Sequence, residues 1–311
     1  MIAAQINMYG GKDAVAISDK AKKPTIADNQ ALIKVHAASV NPFDITVREG
    51  GARQMTELTL PATLGGDFAG TIVELGANTN GFKIGQKVFG QASPLSGNGS
   101  FAEFAPVLIK QLQLAPNNID PIHAAALPLV SVSAYQAIIE TIDLKPNQKI
   151  LIHGGAGGIG SIAIQIAKNI GAYIATTANE KDLEYVKNLG ADEVIDYKSQ
   201  DFSSILKEYD AVFDTVGKET AIKSVNVLKN GGSMVSMVSN IDDGLIDKKE
   251  IIFKHQFTQV SQEKLHEIKQ MVEAGIIKVN VDKIYSISET AEALEYLKTG
   301  QPRGKVVIRI S

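Results

Sequence analysis

The sequence predicts an α/β protein of two domains, one mostly β and the other a doubly wound parallel sheet. Three observations carry that expectation. A chain of 311 residues can bury two sizeable cores. Short apolar or alternating runs, broken by Gly, Pro and Asn at loop spacing, fill residues 1–120. From residue 121 the texture changes to strands alternating with longer helices, and it changes back after Gly275.

In the first stretch ALIKVHAASV, GTIVELG, QKVFG and FAEFAPVLI read as strands of a partly open barrel or sandwich. Next, ILIHG leads into IGSIAIQIAKNI, YIATTA into EKDLEYVKNL, EVIDY into DFSSILKE, and AVFDTVG into ETAIKSVNVL. SMVSMV and IIFKHQF then precede QEKLHEIKQMVEA. Such repeated units specify a parallel sheet covered by helices on both faces. Ile159, Ile162, Ile166 and Ile170 recur every three or four residues, a stripe that can press on the sheet. After Gly275, IIKVNVDKIYSI, SETAEALEYL and KVVIRI resume the first texture, with Ser286 and Glu289 at capping-box spacing. The tail is therefore expected to complete the first domain. Residues 1–120 and 276–311 would form that domain, and residues 121–275 would be inserted as the second.

Composition narrows the function classes. Hydrophobic residues make up 44% and charged residues 21%, with 27 Gly and 10 Pro, as in ordered globular chains. The 34 acidic and 31 basic residues are mixed, so no basic block offers a nucleic-acid surface. The start, MIAAQINMYGGKD, lacks the basic region and apolar core of a secretion signal, and no segment reads as membrane-spanning. Zero cysteines removes disulfides, thiol nucleophiles and thiolate zinc sites, and fits a reducing compartment. A soluble cytoplasmic protein is expected. His36, His123, His153, His255 and His266 are dispersed, with no H-E-x-x-H, so no metal site is expected.

Gly155, Gly157 and Gly160 form G-x-G-x-x-G where a strand yields to a helix. The first suits a tight turn, the second leaves room for a pyrophosphate, and the third lets helix and strand pack closely. Backbone N–H groups from Gly157 to Ser161, including those of Gly158, Ile159 and Gly160, would face a diphosphate at the positive end of the helix dipole. The competing reading is a glycine turn that serves packing alone. No G-x-x-x-x-G-K-[ST] or G-x-S-x-G occurs, which argues against an ATP loop and a serine-hydrolase elbow. About 20 residues on, where NAD enzymes place an acid on the ribose, this chain has Ala175, Thr176 and Thr177. Neutral groups there, with Lys181 nearby to neutralise a 2′-phosphate, favour NADPH. Glu180 is the competing ribose ligand, and Lys181 can equally be a solvated helix-start charge.

In VNPFDITVREGG, Asn41 can cap a helix with Pro42 in its first position, Asp44 near its positive end and Arg48 paired to Asp44. The functional alternative sets the Asn41 amide beside a nicotinamide or a substrate carbonyl, with Asp44 orienting the network. Asp67, in TLGGDFAGTIVELG, would hold Arg48 or another cation, or satisfy turn amides. In LPLVSVSAYQAI, Ser133 is placed near the nicotinamide amide; Tyr135 is a candidate proton donor whose competing role is packing at the domain junction.

These residues resemble the zinc-independent quinone oxidoreductases, the zeta-crystallin-like branch of the medium-chain dehydrogenase/reductase superfamily. The resemblance rests on VHAASVNPFDITVREG, LGGDFAGTIVELG, FAEF, AAALPLVSVSAYQAI, HGGAGGIG, LGADEVIDY and RGKVVI, in that order along almost the whole chain. It implies a GroES-like catalytic domain, a Rossmann domain with the nicotinamide in the cleft between them, NADPH, and commonly a homodimer. It also implies that Asn41 lies near the active site, that Lys181 and Tyr197 contact the 2′-phosphate, and that Ser133 approaches the nicotinamide. Zinc-dependent relatives supply a cysteine and a histidine. Here no cysteine lies near Asp44, and Gly66 stands where a G-H-E motif has histidine. Hydride transfer to a quinone or to the C=C bond of an α,β-unsaturated ketone or aldehyde is thus expected. The alternatives are a non-enzymatic NADPH-binding sensor or structural protein, and a zinc-independent alcohol or sugar dehydrogenase.

Overall fold

The computed structural model describes residues 1–311. Along residues 1–129 run β1 (Ala3–Ile6), β2 (Val15–Ser18), β3 (Gln30–Ser39), α1 (Pro42–Arg48), β4 (Ala62–Thr63), β5 (Asp67–Leu75), β6 (Lys87–Gln91), β7 (Phe104–Leu108), β8 (Leu112–Leu114) and α2 (Pro121–Ala125). Then α3 (Pro128–Tyr135) continues as a π-helical turn, Gln136–Thr141, an irregularity that often marks functional regions. Five strand-and-helix units follow: β9 (Lys149–Ile152) and α4 (Gly158–Ile170), β10 (Tyr173–Ala178) and α5 (Leu183–Asn188), β11 (Glu193–Asp196) and α6 (Phe202–Ile205), β12 (Tyr209–Asp214) and α7 (Glu219–Ser224), β13 (Leu228–Ser236) and α8 (Asp243–Asp247). The chain closes with β14 (Ile252–His255), α9 (Gln262–Glu273), β15 (Val281–Ser286), α10 (Thr290–Thr299) and β16 (Lys305–Arg309).

Two compact units result. The first comprises Met1–Leu129, Val260–Ala274 and Val279–Ser311; the second comprises Val130–Gln259 and Gly275–Lys278. These limits differ from the 120/121 and 275/276 divisions that texture suggests. Helix α2 packs on β3 and β5, and α9 packs on β8, so both helices join the first unit despite their place beside the repeated units. Conversely, Gln165 on α4 grips Lys278, accepting from its N–H (2.9 Å) and donating to its carbonyl (3.0 Å), which ties 275–278 to the second unit.

The second unit is a six-stranded sheet in the order β11-β10-β9-β12-β13-β14, every pair parallel. The order reverses between β9 and β12, and such a switch point opens a crevice at the strand carboxyl ends. Helix α4 is buried almost all round: Ser161 to Ala167 are all buried, so the isoleucine stripe understates its contact.

The first unit holds a three-stranded sheet, β2-β1-β4, and a seven-stranded one ordered β15-β16-β3-β5-β6-β8, with β7 on β3. Ala31, Leu32 and Ile33 are consecutive yet fully buried, because β3 is central and covered on both faces. The Ser286–Glu289 box forms: the Glu289 carboxylate accepts the Ser286 N–H (2.8 Å) and hydroxyl (2.7 Å) ahead of α10.

Candidate active site

The glycine turn divides its work differently from the expected scheme. The left-handed residue is Gly154, with φ of 70°, one position before the motif. Gly155 is required by closeness, since a Cβ there would strike the Thr176 hydroxyl; at Gly160 a Cβ would strike the Gly154 carbonyl. At Gly157, the N-cap of α4, a Cβ would meet a single close neighbour, the Gly154 oxygen at 3.3 Å, and is otherwise unobstructed. Its own N–H is spent on Gly154 O (3.0 Å), and the Ser161 N–H on Gly157 O (3.0 Å). The donors at the helix mouth are thus the amides of Gly158, Ile159 and Gly160, a narrower set than Gly157 to Ser161, with no earlier carbonyl in the helix to accept them. An open glycine beside three such amides fits a diphosphate.

Around this turn the strand ends line up. Thr177, next to last in β10, turns its hydroxyl inward, to His153 Nδ1 (3.0 Å) and the Gly154 N–H (3.2 Å). It braces the turn. His153 is buried between Thr177 and the Ser224 hydroxyl (2.9 Å), with Phe202 edge-on at 4.6 Å, and burial pulls its pKa down to about 4. Lys181 is exposed just past β10, where the Asn179 side chain accepts its N–H (3.0 Å), and Tyr197 is exposed just past β11. Ala178 and Asp196 are register partners, so Lys181 and Tyr197 leave adjacent strands at the same sheet edge. The Ser133 hydroxyl lies 2.6 Å from that of Thr258, and Gln256 donates to the Ser133 carbonyl (3.0 Å). Tyr135 ends α3, half-buried.

In the first unit, strand register assembles a buried polar row. Val307 pairs with Ser39, Ala38 with Phe68, and Asp67 with Gln91. Continued by two residues, the same register sets Lys305 opposite Asn41. In that register Asp67 falls opposite Ser39, so Ser39, Asp67 and Gln91 share one row while Lys305 and Asn41 face each other two residues further on, and the Asn41 side chain bridges the step to Asp67. The Asn41 Nδ2 donates to Asp67 (2.9 Å), Gln91 Nε2 donates to Asp67 (3.2 Å), and the Leu129 N–H reaches both of its carboxylate oxygens (3.2 Å). Lys305 donates to Asn41 Oδ1 and to the Val40 carbonyl (2.9 Å). At the mouth of α1, the Asp44 carboxylate accepts the Asn41 N–H (2.7 Å).

The predicted pairing of Arg48 with Asp44 or Asp67 does not form. Arg48 turns instead to Glu49 and Glu295, each at 2.7 Å, and Lys305 supplies the cation. A lysine first in a terminal strand reads in sequence as a solvated charge; the RGKVVI resemblance marked the segment, but only register shows its partner. Burial raises Asp44 to about 7, with the Asn41 N–H opposing and the Asp67 charge reinforcing. Burial also raises Asp67 against the Lys305 charge, and lowers Lys305 against both carboxylates.

This donor set does not fit zinc. Asn41, Gly66 and Asp67 include no thiolate or imidazole, Asp67 already takes four donor contacts from Asn41, Gln91 and Leu129, and no group of three His, Cys, Asp or Glu is placed to hold a metal.

Residues 27–117 match the family model of the alcohol dehydrogenase GroES-like domain, and residues 189–308 match that of the zinc-binding dehydrogenases. The chain is 35% identical over 310 residues to the 2-methylene-furan-3-one reductase of Solanum lycopersicum, covering 96% of this chain and 76% of that protein. It is also 35% identical to the chloroplastic NADPH-dependent alkenal/one oxidoreductase of Arabidopsis thaliana, covering 96% and 77%. The quinone oxidoreductase structure from Coxiella burnetii superposes with a TM-score of 0.93 at 33% identity, covering 100% and 99%. With a doubly wound sheet, a GroES-like unit and relatives of this identity and coverage, the chain belongs to the zinc-independent quinone-oxidoreductase, zeta-crystallin-like branch of the medium-chain dehydrogenase/reductase superfamily.

Proposed function

We propose that this enzyme reduces a quinone, or the C=C bond of an α,β-unsaturated ketone or aldehyde, with NADPH and without a metal. The observation that carries the chemistry is the Asn41 amide, buried and held at both ends by Asp67 and Lys305. When bound, NADPH supplies a hydride. The Gly158, Ile159 and Gly160 amides hold its diphosphate, the open face of Gly157 admits it, and Lys181 and Tyr197 take the 2′-phosphate. Gly155, Thr177 and His153 keep the turn in shape, and Ser133, braced by Thr258, orients the nicotinamide amide. On the substrate side, Asn41 donates to the oxygen on which negative charge accumulates, a preorganised donor of the kind that lowers such barriers. Asp44 holds the backbone of Asn41, Tyr135 is the candidate side-chain proton donor, and water serves where it does not.

The relatives named above as reductases of alkenals, a furanone and quinones support this substrate class. A homodimer is proposed as well: β14 is an edge strand, paired only to β13, with Ile252 exposed on it. The cytoplasm is the proposed compartment of this cysteine-free chain; no helix is long and apolar enough to cross a membrane.

The test mixes purified protein and NADPH with a panel of quinones and enones and follows NADPH absorbance. Turnover above the protein-free rate is expected with at least one class; none with either would withdraw the substrate assignment. Lys181→Ala is expected to weaken NADPH binding about tenfold and NADH binding far less. Equal weakening would return Lys181 to a solvated charge.

A further inference from the structure

We propose that Lys305 is a positioning residue whose ammonium group dictates which end of the Asn41 amide is left for the substrate, so that the spare group includes an N–H donor. The proposal rests on the reading of Asn41 given above and deepens it.

An asparagine amide has two acceptor sites on oxygen and two donors on nitrogen. In density or in a sequence the two ends look alike, and only partners distinguish them. Here the partners are charged and of opposite kinds. Lys305 Nζ, a group with donors and no acceptor, meets Oδ1; an Asp67 carboxylate oxygen meets Nδ2 at 2.9 Å. Turning the amide over would set N–H against ammonium and oxygen against carboxylate. Both contacts would become repulsive in a site where Asn41, Asp67 and Lys305 are each at least 96% buried.

Lys305 is itself anchored. Its Nζ also donates to the Val40 carbonyl, and β16 is held antiparallel to β3 through Val307, Ile308 and Arg309. Asp67 is held by Gln91 and by the Leu129 N–H. Neither neighbour can follow the amide if it turns. One Nδ2–H remains after Asp67 has taken the other, and a donor is what an oxygen gaining negative charge requires. Without Lys305, Oδ1 would lose its charged donor and the buried Asp67 carboxylate would face the amide with no cation beside it. The favoured response is for both amide hydrogens to turn to carboxylate, which removes the donor from the substrate.

The experiment compares Lys305→Met, Asn41→Ala and the double variant, with NADPH affinity measured alongside. Lys305→Met is expected to lower kcat about tenfold or more while NADPH affinity stays within about twofold. In the Asn41→Ala background, Lys305→Met should lower kcat no further; multiplying effects would show Lys305 acting elsewhere and would overturn the proposal. Should Lys305→Met fail to fold, Lys305→Met with Asp67→Asn removes both charges. Its kcat is expected to stay low, and recovery of the wild-type rate would overturn the proposal. A readout free of activity uses 15N-labelled wild-type protein. The Asn41 side-chain amide, assigned by its loss in Asn41→Ala, is expected to shift and to change its exchange rate in equally labelled Lys305→Met, and a pair unchanged in that variant would overturn the proposal. If wild-type protein turned over no quinone or enone, the failure would lie with the substrate assignment, and the amide comparison would still test whether Lys305 sets the amide.

Discussion

At the scale of single residues, two buried titratable groups push stability in opposite directions. Asp44 titrates near 7 because it is buried, helped by the negative Asp67 and opposed by the Asn41 N–H and by Lys305. An unfolded aspartate titrates near about 3.9, so the folded chain holds an extra proton between the two values. The stability this contributes is complete below about pH 3.9 and is lost as pH rises through about 7. His153 runs the other way. Burial draws it to about 4 against the Asp214 charge, so its contribution is complete above about pH 6.5 and is lost as pH falls through about 4. Between those limits the two slopes offset each other. Asp44→Asn removes one of them: relative to wild type, the variant should gain ~2–3 kcal/mol in urea denaturation between about pH 5 and about pH 8. A constant difference would mean that Asp44 ionises as an ordinary carboxyl.

At the scale of elements, the strand-to-helix turn separates packing from binding. The sequence pattern G-x-G-x-x-G made the turn visible, but assigned the tight bend to Gly155; the positive φ belongs to Gly154, and Gly155 is needed by the Thr176 hydroxyl. Backbone contacts at that range are invisible to residue spacing. Gly160→Ala would press a methyl into the Gly154 carbonyl, and should cost about 2–3 kcal/mol in thermal or chemical denaturation. Gly157→Ala has only one contact at 3.3 Å, so it should cost under about 1 kcal/mol yet weaken NADPH binding about tenfold by filling the face the diphosphate approaches. If Gly157→Ala bound NADPH as wild type does, the diphosphate would have to lie elsewhere. The helix α1 shows the same division. Its cap was legible in NPFD, and the Asp44 bond to the Asn41 N–H forms. Its far end is not legible there, because Arg48 and Asp44 are one turn apart while Glu295, the partner Arg48 takes, is distant in sequence.

At the scale of the whole chain, β16 is the strand on which most depends. It lies between β15 and β3, and Val306, Val307 and Ile308 are fully buried. Burying three such side chains is worth roughly 5–9 kcal/mol, comparable to the ~5–15 kcal/mol that separates folded from unfolded domains. A chain ending at Lys278 should therefore lose cooperative unfolding of the first unit and expose it to protease. A first unit that stayed protected would show that residues 279–311 are dispensable to it.

The order of strands and helices, the parallel sheet, the glycine turn, the return of the tail to the first unit and the family were all readable from the linear chain. Each follows from periodicity, turn chemistry or motif spacing, which are local properties. The contact of Lys305 with Asn41, the bracing of the turn by His153 and Thr177, and the membership of α2 and α9 in the first unit emerged with the folded structure. Those depend on which distant strand ends share a register and which faces are covered, and a side chain carries no mark of the partner 264 positions away that will meet it.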